Sequence, residues 1–474
     1  MKTPAIVLVA LLALTHLMGA TSESASSTVN WSTATEILAR IKAPTFPAKD
    51  FPITDFGAVA GDNHDNTAAI AKAIATCHAA GGGRVVVPAG VFRTGAIHLK
   101  SNVNLHVSTG ATLSFIFDPA LYPVVHTRWE GVECMNFSAF IYAFEQENIA
   151  VTGGGTLDGG STPQTWWGWN LKRGAGGEPS KQRVDRDALN AMGEAGTPVA
   201  ERIFGPGHFL RPNFIQTYRC KNILIEGVTI NRSPMWELHP VLSSNITVRG
   251  VNIVSHGPNN DGCDPESSRD ILIENCSFET GDDCIAIKSG RNNDGRRINV
   301  PAENIIIRNC TMKDGHGGVV IGSEIAGGCR NVFVENCVMD SPNLDRALRF
   351  KSNAVRGGVI ENIFMRNVKI GRVSEAVLTV DFLYEEGAKG KFMPTLRHVV
   401  MENVTSSSSP RVFYVVGFDG AVIDDIRISN STFSNVTSTD VMHHAGRFVL
   451  ENVTVQPAKV VRSLNSNGAT GTAP

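Results

Sequence analysis

A chain of 474 residues, 42% hydrophobic and 19% charged, is long enough to bury a large core, and its composition excludes a disordered protein. A formal net charge of -2 leaves no general basic field, which argues against nucleic acid as the main partner. Repeat architectures escape the usual ratio of length to domain number, so periodicity has to be read before any boundary is drawn.

Lys2 precedes an apolar run from Ala5 to Leu14, then the small residues Gly19 and Ala20 and a polar segment from Thr21 to Thr28. That order is the pattern of a secretory signal peptide over residues 1–20, so the chain is expected in a periplasm or outside the cell. The run is shorter than the roughly 18 apolar residues that cross a bilayer, and no later stretch reaches that length, so no stable membrane insertion is expected. Residues 21–50 read as an N-terminal segment. From Asp65 to Ala79 (DNTAAIAKAIATCHA) the spacing predicts one helix, capped by Asn66 or Thr67 and ended by Gly81 to Gly83.

From Asn148 onward one pattern recurs: KNILIEGV ending at Val228, SNITVRGV at Val251, RDILIENC at Cys276, ENIIIRNC at Cys310, RNVFVENC at Cys337, ENIFMRNV at Val368, RHVVMENV at Val404, DDIRISNS at Ser431 and GRFVLENV at Val453. The period is about 22 to 36 residues, which is that of a solenoid. Each unit holds short period-2 runs of Ile and Val, punctuated by Gly and Asn where the chain turns with positive φ, and leaves no room for helices. Such units stack with parallel strands about 4.8 Å apart and bury their Ile and Val rows in one core. The fold class is therefore all-β, a right-handed parallel β-helix over residues 51–456, its open N-terminal end covered by the helix before Gly81.

Several features follow from stacking. Cys276, Cys310 and Cys337 share one repeat position and should form a ladder of small residues. The nine cysteines are odd in number and contain no CxxC pair, so neither a zinc site nor a full disulfide framework is indicated. The triplets Asn403 to Thr405 and Asn452 to Thr454 match glycosylation acceptors but fall out of the Asn-Val-Thr turn of the repeat. Residues 161–212 interrupt the pattern and should form a large surface excursion, residues 457–474 a loose tail, and the whole a monomer.

Aligning coils on their anchors brings polar residues into register. GDDCIAIKSG (Gly281 to Gly290) matches GHGGVVIGSE (Gly315 to Glu324), so Asp282 faces His316. The coil before, DGCDPES (Asp261 to Ser267), sets Asp261 beside Asp283, and the coil after, LRFKS (Leu348 to Ser352), follows on Ser323. Three carboxylates and a histidine then lie within roughly 5 to 10 Å of one another. Like charges so close raise at least one pKa, leaving one carboxyl protonated as an acid and another ionised as a base. Glycoside hydrolysis with inversion uses that pairing. Calcium is the rival use of clustered aspartates, but hard cations avoid adjacent cations. If Leu348, Phe350 and Ser352 point into the core, Arg349 and Lys351 point outward on the same face and suit a carboxylate-bearing substrate.

These motifs, NxDG with a further acidic residue, GDDCIAIKSG, GHGGVVIGSE and LRFKS, in that order, resemble those of glycoside hydrolase family 28, the polygalacturonases. FPITDFGAVAGD and LKSNVNLHVSTGATL are similar to its opening coils. The resemblance implies cleavage of galacturonide bonds in pectic polysaccharide without cofactor or metal. It implies Asp282 as general acid, Asp261 and Asp283 as activators of water, and His316 as the support of the acid. Arg349 and Lys351 would hold galacturonate carboxylates, with Tyr384 in LYEEG a looser match to a substrate-binding tyrosine. Relatives often tie the cysteine after the double aspartate to one four residues before the histidine. Met312 stands at that place, which leaves a partner for Cys284, such as Cys310, open.

A lyase of the same fold would need an Arg or Lys base and calcium, and would leave the GDD and GHG pair without purpose. A non-catalytic carbohydrate-binding β-helix should have lost a carboxylate or His316. Homogalacturonan and rhamnogalacturonan both present galacturonate, so both remain open as substrates. A bare β-helix has a cleft open at both ends. Cleavage from a chain end requires one end closed, and the excursion is the expected wall, with Trp166, Trp167 and Trp169 and with Lys172, Arg173, Lys181, Arg183, Arg186, Arg202 and Arg211. Trp236 is a fourth candidate for stacking on sugar.

Overall fold

The computed structural model describes residues 29–171 and 178–458. The expected signal peptide (1–20), Lys172, Arg173 and the tail from residue 459 lie outside the described residues.

Between Asp50 and Pro457 the chain winds as a parallel β-helix. All nine repeats identified in the sequence stack in register: Ile223, Ile246, Ile271, Ile305, Val332, Ile363, Val399, Ile426 and Phe448 form one row, each paired with the next. From Ile223 to Ile426 these side chains, with the row from Ile225 to Ile428 two residues on, belong to a single apolar core that runs along the solenoid, and Phe448 packs against its end. A period of 2 puts every other residue of each strand into that core, and parallel stacking repeats the choice on every rung.

The turns are built by asparagine. Asn222, Asn245, Asn304, Asn331 and Asn362 sit at φ of 58°, 55°, 60°, 59° and 60°, a conformation costly for most L-residues. Each short amide also bonds its neighbour one rung away: Asn222 donates to Asn148 (2.8 Å), Asn245 to Asn222 (2.8 Å), Asn331 to Asn304 (3.0 Å) and Asn362 to Asn331 (3.2 Å). A second ladder uses the glycosylation-like positions, Asn403 donating to Asn367 (3.2 Å) and Asn452 to Asn430 (2.9 Å). Cys276, Cys310 and Cys337 stack side by side as expected, and all nine cysteines are free and buried. Cys284 is not joined to Cys310; its thiol lies 3.2 Å from the carbonyl oxygen of Asp314.

Four α-helices occur among the described residues, where the repeat predicted one. The expected helix is α2 (Thr67–Ala79), and its buried face, Ile70, Ala73, Ile74 and Cys77, closes the N-terminal end of the core. Its first turn is capped by Asp65, whose Oδ1 accepts from Thr67 N at 2.9 Å, because the Asn66 side chain is engaged with Val59, His64 and Arg93. Ahead of it α1 (Trp31–Arg40) begins with a capping box at Asn30 and lies across the outside of the solenoid. There Ala34 and Ile37 cover Leu272, Ile306, Phe333 and Phe364, the outward middle residues of four successive repeats. Phe333 and Phe364 stack 4.9 Å apart, and Trp31 packs 5.4 Å from Phe333. The excursion holds α3 (Lys181–Ala195), with Ser180 as its N-cap and Gly196 at φ 69° as its stop. One coil does make room for a helix, α4 (Asn292–Ile298).

The face that carries the polar motifs is a stack of six strands: Ile285–Ile287, Val319–Ile321, Arg346–Lys351, Ala376–Asp381, Arg411–Val416 and Val441–His443. Parallel bridges from Leu238 to Cys263 and from Cys263 to Ile285 continue it toward the N-terminal coils.

Replacing Asn331 separates the two uses of the ladder. Asn331→Ala is expected to cost about 1–2 kcal/mol for the left-handed backbone and a further ~0.5–1.5 kcal/mol for each lost bond. Asn331→Gly should lower the denaturation midpoint less, since it keeps the turn; an equal loss for Gly and Ala would show that backbone strain plays no part.

Candidate active site

Four consecutive coils deliver the site. Cys263 pairs with Ile285 and Glu266 with Lys288, which sets Asp261 level with Asp283; Ile285 pairs with Val319, which sets Asp282 level with His316. Val320 then pairs with Arg349. One oxygen each of Asp261, Asp282 and Asp283 lies within 4.8 Å of the others. The cluster is thus tighter than the rung spacing alone suggested, because Asp282 and Asp283 share one tight turn.

Asp283 is fully buried. Lys351 donates to its Oδ2 at 2.7 Å, and the guanidinium of Arg349 comes within 3.7 Å of its Oδ1. Burial pushes this carboxyl up, yet Lys351, Arg349 and Lys288 outweigh it and hold the pKa down to about 2. Leu348 and Phe350 do point into the core and Arg349 and Lys351 outward, but both cations face the carboxylate of Asp283, and of the two only Lys351 lines the pocket. Asp261 is the opposite case. Burial, then the charges of Asp282 and Asp264, push it well above the usual carboxylate range, and Lys288 opposes them only in part. The carboxyl that crowding raises is thus Asp261, while the family pattern gives the acid's role to Asp282. What Asp282 has is a proton donor beside it: its Oδ1 lies 2.9 Å from Nδ1 of half-exposed His316, whose pKa that hydrogen bond raises. Three aspartates this close would also suit a hard cation, but the ammonium groups of Lys351 and Lys288 already supply the positive charge.

The cluster opens into a pocket of about 600 Å³. Asp261, Asp282, Lys288, Glu324 and Lys351 form its floor, Trp236 and Tyr384 its aromatic sides, and Asn170 with Gln182, Arg183, Arg186 and Asp187 of the excursion its far wall. The Tyr384 ring lies 5.4 Å from the Lys351 ammonium and 5.7 Å from the Arg349 guanidinium. Arg186 spans three separate segments, donating to Glu130 at 2.6 Å on a hairpin tip and to Glu385 at 3.1 Å. Arg183 pairs with Asp187 at 2.8 Å at the pocket edge.

The other cations named in the excursion, among the described residues, have structural partners. Arg202 is buried against Asp294 at 2.8 Å, Arg211 against Gln182 at 2.6 Å and three further oxygens, and Lys181 lies over Phe209. Of the four tryptophans, Trp236 alone lines the pocket among the described residues. Trp166 is buried against Phe117, Tyr122 and Phe140, Trp169 packs on it, and Trp167 donates to the Ser233 carbonyl at 2.8 Å.

Lys288, Glu324, Glu130 and Glu385 were not singled out by the sequence. Lys288 was within reach, since the alternation that turns Arg349 and Lys351 outward does the same for Ala286 and Lys288 beside Ile285 and Ile287. Glu130 had no signal, because only the docked hairpin Val124–Trp129 and Val132–Phe137 brings it there.

A solenoid that holds a carboxylate cluster in a pocket lined by Trp and Tyr has the make-up of a carbohydrate-cleaving enzyme. Residues 208–458 match the model of glycosyl hydrolases family 28, and the chain belongs to that family. A solved relative, the hyperthermoactive exopolygalacturonase of Thermotoga maritima, is 43% identical; the match covers 90% of this chain and 96% of that one, with a TM-score of 0.86. The exo-poly-alpha-D-galacturonosidase of Dickeya chrysanthemi is 28% identical over 82% of this chain and 67% of its own length. A Vitis vinifera relative named "Probable polygalacturonase" is 28% identical over 67% of this chain, which spans 60% of that protein.

The His316 pairing is directly measurable. A histidine with a raised pKa keeps its proton to higher pH, and the charge pair with Asp282 is lost as pH rises through that raised value. NMR titration should place the His316 imidazole above its ordinary 6.5, and Asp282→Asn should lower it. An unchanged midpoint in the variant would mean that Asp282 is not the cause.

Proposed function

We propose that this protein is an inverting hydrolase of α-galacturonide bonds in pectic polysaccharide, acting from a chain end as an exported monomer without metal or cofactor. The observation that carries the reading is the triad of carboxylates at one pocket, Asp261 and Asp282 lining it and Asp283 buried behind them, held ionised against Lys351 and Arg349, with Asp282 paired to a proton-rich His316.

In the proposed step Asp282 gives its proton to the glycosidic oxygen as the bond from the anomeric carbon to that oxygen breaks. A water attacks the same carbon from the opposite side, and its proton passes to Asp283 or Asp261. His316 beside Asp282 steadies the acid and restores its proton after turnover. Arg349, whose buried Nε has no hydrogen-bond partner among the described residues, is the guanidinium we assign to a substrate carboxylate. Lys351 adds charge beside it, and Tyr384 offers a ring and a hydroxyl at the same wall.

Chain-end action is supported by the shape. The excursion, the hairpin tip at Glu130 and the segment at Glu385 meet through Arg186 beside a substrate space of about 600 Å³, a volume within the range of small-ligand pockets. Arg183 at its edge is the excursion cation with a free side toward substrate. Export rests on the pattern of residues 1–20 alone.

Time-resolved chromatography and viscometry on polygalacturonate test the proposal. Galacturonic acid or its dimer should appear from the first minutes while viscosity falls slowly, and Asp282→Asn should lose about 100-fold or more in turnover without a change in melting temperature. A fast viscosity drop with a ladder of oligomers would mean internal cleavage, and near-normal activity of Asp282→Asn would remove the general acid.

A further inference from the structure

We propose that Lys288 is a positioning residue for this reaction: its ammonium, held at the pocket floor between Asp261, Asp264 and Glu324, keeps the Asp261 carboxyl available to accept the proton of the attacking water. The inference rests on the hydrolase reading above and adds to it the group that makes two water-activating carboxylates usable together.

The two carboxylates are not equivalent. Asp283 has Lys351 at 2.7 Å and Arg349 at 3.7 Å. Asp261 has one cation within ion-pair reach among the described residues, Lys288, at 3.9 Å from its Oδ2. The other groups that act most strongly on Asp261 are acidic, Asp264 on its own coil and Asp282 and Asp283 on the next, and Glu237 on the coil before repels it as well. Asp264 and Glu237 are fully buried, and burial pushes both well above the usual carboxylate range. Neither Asp264 oxygen has a hydrogen-bond partner among the described residues. Asp261 therefore sits at the edge of a buried carboxyl cluster whose positive charge within ion-pair reach, among the described residues, is Lys288.

The lysine itself is firmly placed. Its Nζ donates to Glu324 Oε2 at 3.1 Å and to the Gly322 carbonyl at 3.2 Å, and lies 4.8 Å from the Trp236 ring. Those contacts take two ammonium protons and leave the third side toward Asp261 and Asp264, each 3.9 Å away. At that distance the coupling is of charge and not a direct hydrogen bond. Glu324 is in turn held ionised, against burial, by Lys288, Arg356 and Arg291, so it draws on the Lys288 charge without needing all of it.

An acceptor carboxyl must be deprotonated, so activity falls as pH drops through its pKa, and removing a neighbouring cation moves that fall to higher pH. The experiment is the pH dependence of kcat/KM on polygalacturonate for the wild type, Lys288→Met and Lys288→Arg, with melting temperatures alongside. In Lys288→Met the acid limb should move up by about 1–3 pH units, with rate regained as pH rises, while Lys288→Arg keeps the limb near its original place. The limb reports the coupled carboxylates as a set, so its displacement is the readout. A uniform loss at every pH with an unmoved limb would show that Lys288 only packs the floor, and would overturn the proposal. Should Lys288→Met not fold, Glu324→Gln moves the limb the other way, to lower pH, by leaving the lysine charge to Asp261; an unmoved or raised limb there also overturns it. A wild type inactive on polygalacturonate would sink the hydrolase reading itself, whereas an active wild type with unmoved limbs sinks Lys288 alone.

Discussion

Register is the constraint on which everything else in this molecule depends. Each coil repeats the chain direction of the last, so a residue's neighbours across the rungs are fixed by which residue opposes which, and a slip by one would turn every side chain to the other face. The asparagine ladders and the buried Ile and Val rows act on the same register from two sides. One fixes the corner backbone and bonds it to the next rung; the other makes a slip expose apolar surface. Because of that redundancy a functional group can stand on a rung without having to hold the rung together.

The site uses this rigidity to keep an arrangement that would otherwise relax. Carboxylates within 4.8 Å of one another, two of them buried, repel, and in a mobile loop they would move apart or all take up protons. On the solenoid they are set against cations from neighbouring coils, Lys351 for Asp283, Lys288 for Asp261 and His316 for Asp282. Each carboxyl thus receives a different charge environment although all three stand on adjacent rungs. The insertion then supplies what a plain solenoid lacks, a wall: α3 and the hairpin tip meet Glu385 through Arg186 and close one side of the cleft.

Much of this was legible in the sequence because the repeat converts sequence distance into spatial distance. The pairing of Asp282 with His316 and of Asp261 with Asp283, and the outward turn of Arg349 and Lys351, follow from counting between anchors. The misses share a cause. Phe333, Phe364, Ile306 and Leu272 broke the expected alternation by being apolar on the outside, and that was the mark of a covering helix, with Asn30 and Ala34, Ile37 and Ile41 as its signals. Groups delivered by non-repeating segments, such as Glu130 and Glu385, have no register to count from. The tryptophans of the excursion were candidates for sugar contact, yet Trp166 and Trp169 pack the insertion onto the main core, while Leu189, Phe204 and Leu210 form a smaller core with the hairpin and Trp236.

The central claim is that a water held on the Asp261 and Asp283 side attacks opposite the acid Asp282. Spacing does not decide this by itself. An inverting pair usually keeps its carboxyls about 6.5–9.5 Å apart, and here the nearest oxygens lie within 4.8 Å. What favours inversion is that Asp283 is fully buried and tied to Lys351 behind the pocket lining, whereas a nucleophile has to reach the anomeric carbon itself. Proton NMR of the anomeric signal during the first minutes of polygalacturonate cleavage is the most direct test. The account predicts that the new reducing end appears first as the β-anomer and reaches its α form only by later mutarotation; an initial α-anomer would contradict it.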